Sequence, residues 1–228
     1  MEREIDMKQV SDGKLYGAND LVKVGCNDCQ GCSDCCQGMG NSILLDPFDI
    51  WQLAGGGYPA LEGLLREGRA ELNVADGVIL PNLKMCGEKE KCSFLNEQGR
   101  CGIHAFRPGF CRLFPLGRIY EGDSFRYFLQ IHECSRTGGA KIKVKKWLQI
   151  PGTARYEQFV QDWHDLVKRL REQLKEGGDG ERIREWNIRF LEIFYFLPYD
   201  GSQDFYKQFY GRQEEWQNSY GPRQASRQ

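Results

Sequence analysis

A run of closely spaced cysteines, CQGCSDCC, extends from Cys29 to Cys36. Thiols at this density are typical of a disulfide lattice or of a metal site, and both hold the local chain in tight turns. Glycines flank the run, among them Gly25 and Gly38, and glycine lets the backbone turn closely around an ion. The ten cysteines of the chain are Cys26, Cys29, Cys32, Cys35, Cys36, Cys86, Cys92, Cys101, Cys111 and Cys134.

The compartment decides between these two uses of the thiols. The N-terminal sequence MEREIDMK is charged and lacks the apolar core of a signal peptide. No stretch approaches the roughly 18 apolar residues that span a bilayer, and a formal net charge of −1 provides no general attraction for nucleic acid. We therefore expect a cytoplasmic protein that binds neither membranes nor nucleic acid, in which reduced cysteines bind metal.

Apolar residues recur at three- and four-residue steps in the C-terminal third of the chain, which predicts amphipathic helices. The predicted helices cover 153–177, 183–197 and 205–216. We expect their aromatic residues to form core rather than a cofactor site. A further short helix, capped by Asp46 and opened by Pro47, is predicted to end near residue 54.

Short apolar segments alternate with turn sequences between residues 70 and 130, which predicts hairpins around the turns at 96–99 and 121–124. The segment KIKVKK at 141–146 predicts a half-buried strand rather than a basic binding patch. We predict an α+β fold in a single domain over 1–228, with a loop-rich, cysteine-stapled metal-binding region with short hairpins at 26–135, a helical region at 153–217 and a polar tail at 218–228.

The spacing of the cysteines suits a soft metal centre such as zinc, copper(I) or iron–sulfur. Steps of three residues from Cys26 to Cys35 allow successive sulfurs to face one point, whereas the adjacent side chains of Cys35 and Cys36 diverge. The neighbouring pair therefore serves two centres, or supplies one ligand and one spare thiol. A hairpin would bring Cys92 and Cys101 together, and ten cysteines can fill one or two four-thiolate centres.

A second interpretation of the first group is a ferredoxin-type ligand set. The spacing Cys26-x2-Cys29-x2-Cys32-x3-Cys36 matches the bacterial run that binds a [4Fe–4S] cluster. However, Gln37 stands where the usual proline would follow, and the run has no second copy. The two interpretations remain open at this point.

The order of the motifs resembles the YkgJ-type cysteine-cluster family, a CxxCxxCC zinc- or iron-chelating domain. The motifs are CxxCxxCC at 29–36, CSFL at 92–95, CGI at 101–103, RPxxCR at 107–112 and FP at 114–115, and the resemblance covers about 26–135. Cys26 and Cys86 are additional to the family pattern. The resemblance implies that the metal ligands are Cys29, Cys32, Cys35, Cys36, Cys92, Cys101 and Cys111, with Cys134 as an eighth.

Other residues near the cysteines have more than one possible role. His104 follows Cys101 by three residues, a workable ligand spacing, but the resemblance places an aromatic residue there and favours a packed ring. His132 is similarly ambiguous. Arg107 and Arg112 would neutralise a negatively charged thiolate centre, bind an anionic substrate or brace loop carbonyls.

We expect a metal-binding protein that holds an iron–sulfur cluster, of the [4Fe–4S] type, in preference to zinc, in a structural or electron-transfer role. One alternative is a metal-dependent enzyme with a protein substrate or a redox partner. Some members of the family that the chain resembles are named flagellin lysine N-methylases, so one possible enzyme is a protein-lysine N-methylase. The other is an iron–sulfur oxidoreductase. The glycines at 55–57 and 177–180 follow predicted helices, where glycine ends a helix, so no cofactor loop supports a conventional methyltransferase. A further alternative is a zinc-stapled interaction module that binds its partner through the aromatic helices.

Overall fold

The computed structural model describes residues 6–24, 32–134, 139–177 and 179–221 of the chain. Within them the fold is α+β, as predicted, with small hairpins followed by long helices. The strands are β1 (Leu21–Lys23), β2 (Ala70–Ala75), β3 (Val78–Leu83), β4 (Met85–Cys86), β5 (Lys91–Cys92), β6 (Leu116–Glu121), β7 (Ser124–Leu129) and β8 (Lys141–Lys143). The helices are α1 (Met7–Val10), α2 (Pro47–Gly55), α3 (Leu61–Arg66), α4 (Gly109–Leu113), α5 (Val144–Leu148), α6 (Thr153–Gly177), α7 (Gly180–Leu191) and α8 (Phe205–Tyr220).

The strands pair as four two-stranded antiparallel sheets in the described residues. β2 pairs with β3, and β6 pairs with β7 around the turn that was predicted at 121–124. β4 and β5 form a smaller hairpin that carries Cys86 and Cys92, whereas β1 pairs with the distant β8. Leu44 bridges to Asn82, so the chain before α2 lies against the open edge of β3.

The C-terminal helices confirm the predicted periodicity. α6 covers the predicted range, and α7 continues into a π-helical segment at Glu192–Phe196. α8 reaches Tyr220 instead of Trp216, so the first residues of the predicted polar tail are helical, and residues 222–228 lie outside the described range. In the described part of the chain, no helix combines the length and the apolar character needed to cross a membrane.

A single cluster of buried side chains joins the cysteine-containing region to the helices. It includes Ile43 and Ile103 from the first region and Phe159 from α6. Phe48 on α2 connects the two directly, because its ring centroid lies 5.2 Å from that of Tyr156 and 5.1 Å from that of Phe205. The helices therefore form the buried wall against which the cysteine-containing region packs.

Two of the predicted β elements differ from the structure. The strand expected at 141–146 ends at Lys143, and α5 begins at Val144 because Val144, Trp147 and Leu148 are buried together in a second, smaller core. The spacing of these three residues, at steps of three and one, is typical of one face of a helix. The alternating pattern in KIKVKK predicted a strand because it includes only the first of them. Around the turn at 96–99 only a single bridge forms, between Leu95 and Cys101, and the chain then enters a 3-10 turn at His104–Phe106.

Candidate metal centre

Six of the eight described cysteines line one cavity of about 40 Å³. The remaining lining is partly apolar, with Ile43, Leu83 and Ile103, and partly cationic, with Arg100 and Arg107. All eight described cysteines are free thiols. The cavity cysteines are Cys32, Cys35, Cys36, Cys92, Cys101 and Cys111.

Backbone contacts bring the first cysteine group to the β4–β5 hairpin. Cys35 and Cys36 lie in a 3-10 turn, in which the Cys36 amide donates to the Ser33 carbonyl at 2.9 Å. Immediately after the turn, Gln37 forms a bridge with Lys91, and the Gly38 amide donates to the Glu90 carbonyl at 3.0 Å. Since Lys91 precedes Cys92, these bonds bring the two cysteine groups together.

The turn at 96–99 brings Cys101 back towards Cys92, although no continuous hairpin forms there. The Leu95 amide donates to the Cys92 carbonyl at 2.8 Å, and the Gly102 amide donates to the Phe94 carbonyl at 2.8 Å. The expected proximity of Cys92 and Cys101 is therefore present, and both thiols face the same cavity.

Cys111 reaches the cavity from the short helix α4, which has no side-chain cap of its own. Asp49 of α2 supplies that cap from a distance, since its Oδ1 accepts a hydrogen bond from the Gly109 amide at 2.7 Å. A side chain at Gly109 would collide with the Tyr156 hydroxyl, so only glycine fits this contact. Asp49 is 2% exposed and also accepts from the Asp46 amide through Oδ2 at 3.1 Å, which completes a capping box.

Asp46 is a helix cap, as its sequence predicted, whereas the role of Asp49 was not predicted. The pattern of Asp46 followed three residues later by a second carboxylate is a signal for a capping box. Its link to Gly109 joins residues 60 positions apart, which no local pattern reports.

The cavity thiols lie close enough to change one another's pKa. A hydrogen bond from Cys36 and, to a smaller extent, the positive charge of Arg107 lower the pKa of Cys35 to about 7. The pKa of Cys36 is raised by the same hydrogen bond, by burial and by nearby thiols. Burial is the main cause that raises the pKa of Cys92, Cys101 and Cys111, and each also feels the charge of other cysteines.

This arrangement forms one thiolate readily, at Cys35, and keeps the thiols of Cys36, Cys92, Cys101 and Cys111 protonated. Metal binding would replace those protons with a cation, because only the thiolate form is a ligand. The donor set is rich in sulfur, so the residues present fit zinc or an iron–sulfur cluster. Among the described side chains, no group of three candidate ligands is already arranged to hold a metal ion, so ligation would require the thiols to move.

The two buried arginines of the RPxxCR motif differ in their contacts. Arg112 Nε donates to the carbonyl of Arg107 at 2.9 Å, and its Nη2 donates to the carbonyl of Ala105 at 2.5 Å, so Arg112 braces the loop. Arg107 lines the cavity, and its Nη1 lies 3.0 Å from Nε2 of His104. A guanidinium only donates, so His104 Nε2 accepts and its lone pair is directed to Arg107 instead of a metal.

The other predicted ligands are not brought into the cavity. Cys86 is exposed on β4, and Cys134 is half-buried in the segment after β7; neither belongs to the cavity lining. His132 is exposed in that same segment. Cys26 and Cys29 lie outside the described residues, so their predicted roles as ligands stay predictions.

Comparison with known proteins agrees with the motifs. No curated protein and no solved structure matches this chain. Residues 28–135 match the model of a family described as "CxxCxxCC: Putative zinc- or iron-chelating domain", close to the range of 26–135 that the motifs predicted. The matched segment contains all six cysteines of the cavity. Residues 28–135 of the chain are therefore similar to the CxxCxxCC family of zinc- or iron-chelating domains.

Proposed function

We propose that the chain binds a metal centre through the thiolates that line this cavity, and that the centre is an iron–sulfur cluster in preference to zinc. The single observation that carries the proposal is the convergence of six cysteines from separate segments on one buried space. The ligands would come from Cys32, Cys35, Cys36, Cys92, Cys101 and Cys111, with Cys29 as a further ligand and with Cys26, Cys86 and Cys134 as accessory thiols.

The space between the thiols favours a centre of several atoms. Four thiolates close directly around a single zinc ion, at about 2.3 Å from it, and leave no room between them. Here the cysteines are spread around a cavity of about 40 Å³, and more of them are present than one zinc ion takes. A cluster of iron and sulfide would occupy such a space and still be held by cysteine alone.

Several residues would suit the site to this centre. The Cys35 thiol, whose pKa is lowered to about 7, provides a thiolate near neutral pH that can begin metal capture. Ile43, Leu83 and Ile103 line the cavity with apolar surface and limit the access of water. When bound, an iron–sulfur cluster supplies one-electron transfer, whereas zinc supplies a cross-link between segments. A cytoplasmic location would keep the thiols reduced.

The alternatives receive less support. Phe159, Phe194 and Phe209 of the helical region are fully buried, and Phe196 is its only exposed aromatic side chain among the described residues, which counts against a zinc-stapled module that uses an aromatic surface to bind a partner. An enzymatic role, as a protein-lysine N-methylase or an oxidoreductase with a redox partner, stays a prediction that rests on the family resemblance.

Purification without oxygen, followed by metal and sulfide analysis and an absorption spectrum, tests the proposal. We expect stoichiometric iron and sulfide and a broad absorption near 400 nm, roughly where thiolate-bound clusters absorb. Colourless protein with stoichiometric zinc would reject the iron–sulfur cluster and leave the thiolate site. Protein without metal, although folded and reduced, would refute the site itself.

The β4–β5 hairpin offers a matched pair of variants for the same test. Cys92 on β5 faces the cavity and pairs with Met85 on β4. The next residue of β4, Cys86, is exposed. We expect Cys92→Ser to lose most of the bound metal and Cys86→Ser to retain it. Equal metal content in the two variants would show that the cavity is not where the metal binds.

A further inference from the structure

Arg107 is a buried cation that lacks a carboxylate partner in the described part of the chain. Arg107 is only 6% exposed, and its Nε has no hydrogen-bond partner among the described atoms. The ion pairs of the described residues are formed by other arginines, and each of these pairs contains at least one exposed side chain. A buried charge costs several kcal/mol unless an opposite charge compensates it.

The cysteines are the source of negative charge that faces this guanidinium. Arg107 lines the same cavity as Cys35 and Cys101. Arg112, the neighbouring cation, donates to backbone carbonyls and is not part of the cavity lining, whereas Arg100, the other cation of the lining, is only half-buried. A divalent centre held by four thiolates carries a net negative charge, which is the compensation that Arg107 requires.

We propose that Arg107 is the counter-charge of the cysteine-held centre and sets how much negative charge that centre can carry. This inference rests on the proposed function, because the negative charge comes from the metal-bound thiolates. Arg107 is a positioning and charge-balancing residue, since it does not itself bind the metal. His104 Nε2 accepts from Nη1 and holds the guanidinium at the cavity.

The positive charge of Arg107 would have one consequence for both kinds of metal centre and a second for an iron–sulfur cluster alone. For either metal, the cation would stabilise the thiolate form of the ligands and so oppose loss of the ion. For an iron–sulfur cluster, reduction adds a negative charge, and a nearby cation favours the reduced state. The reduction potential would therefore be more positive than it would be without Arg107.

Three variants separate the charge of Arg107 from its contact with His104. Arg107→Gln removes the charge, Arg107→Lys keeps the charge but loses the planar fork, and His104→Ala removes the hydrogen-bond acceptor while leaving the charge. We expect Arg107→Gln to weaken metal binding by about 10- to 100-fold, the range typical of residues that support metal ligands. Arg107→Lys and His104→Ala should both fall between this variant and the wild type.

Competition with a chelator measures these affinities, and circular dichroism confirms that each variant is folded. If the wild type contains an iron–sulfur cluster, the midpoint potential of Arg107→Gln should also move to more negative values, while that of Arg107→Lys moves less. An effect of His104→Ala as large as that of Arg107→Gln would overturn the inference, because the residue would then act as a structural brace.

The lysine variant keeps the test decisive if Arg107→Gln does not fold. An Arg107→Lys protein that is folded but has lost its metal would also refute a role based on charge. A wild type without metal would refute the proposed function and this inference together. A metal-loaded wild type whose affinity and potential are unchanged in Arg107→Gln would refute only the inference about Arg107.

Discussion

Replacement of Asp49 should weaken both the fold and the metal centre, because this residue connects the helix α2 to the helix that carries Cys111. Its carboxylate accepts from the Gly109 amide at 2.7 Å and from the Asp46 amide at 3.1 Å. In Asp49→Ala, both amides lose their acceptor, and the contact with Gly109 is buried. The first turn of α4 would then be free to shift, and Cys111 with it.

The structure gives the magnitude of this effect. Loss of the capping contact within α2 costs about 1 kcal/mol, as for other helix caps. Loss of a buried hydrogen bond to a charged acceptor, here from Gly109, costs about 1.5–3 kcal/mol more. We therefore expect the free energy of unfolding of Asp49→Ala to fall by about 2.5–4 kcal/mol, with Asp49→Asn less affected because it keeps one acceptor oxygen.

Asp46 provides the matched control, because it belongs to the same capping box but, within the described residues, its side chain accepts hydrogen bonds from α2 alone. Its Oδ1 accepts from the Asp49 amide at 2.9 Å, so Asp46→Ala should cost about 1 kcal/mol and leave the metal content unchanged. Urea unfolding and metal analysis of the two variants measure the difference. If Asp49→Ala is no less stable than Asp46→Ala and binds as much metal, the proposed link from α2 to Cys111 is wrong.

Three further predictions follow from the same region and its supporting core. Gly109→Ala should lower the free energy of unfolding by about 1–3 kcal/mol, since its methyl group meets the Tyr156 hydroxyl; thermal unfolding at wild-type stability would contradict this. Phe159→Ala should cost about 3–5 kcal/mol in urea unfolding, because its ring is fully buried against Phe209 and its neighbours, and a cost below about 1 kcal/mol would contradict the packing. Burial raises the pKa of Asp49 from 3.8 to about 6, so the folded chain holds a proton that the unfolded chain has already released between these values. The free energy of unfolding should therefore decline as the pH rises from about 4 to above 6, and this decline should be smaller in Asp49→Asn; equal slopes for the two proteins would refute the shift.

The C-terminal helices were predictable because their burial follows a local period. Apolar side chains such as Tyr156, Phe159 and Leu170 recur on one face of α6, and all three are fully buried. The cysteine cavity was also predictable in outline, since short steps and a turn bring several thiols together. Cys111 differs from the predicted loop-rich character of its region, because it is part of the helix α4.

The remaining features depend on contacts between residues that are distant in sequence. The bond from Asp49 to Gly109 and the bridge from Gln37 to Lys91 each join separate segments, so no periodicity or spacing reports them. The end of the strand at Lys143 has a similar cause. The residues that follow it are buried by the second core, and this tertiary contact overrides the alternation of the local sequence.

Ile43 and Ile103 at the cavity belong to the same buried cluster as Phe159 and Phe190 of the helices. Stabilising the cysteine-containing region should therefore also stabilise the helical region. A ligand that binds only the folded state stabilises it by about 1.4 kcal/mol for each factor of ten by which the free ligand concentration exceeds the dissociation constant. Metal captured by the cysteines would thus protect the distant helices from proteolysis. The abundance of this chain in a cell would then follow the supply of its metal.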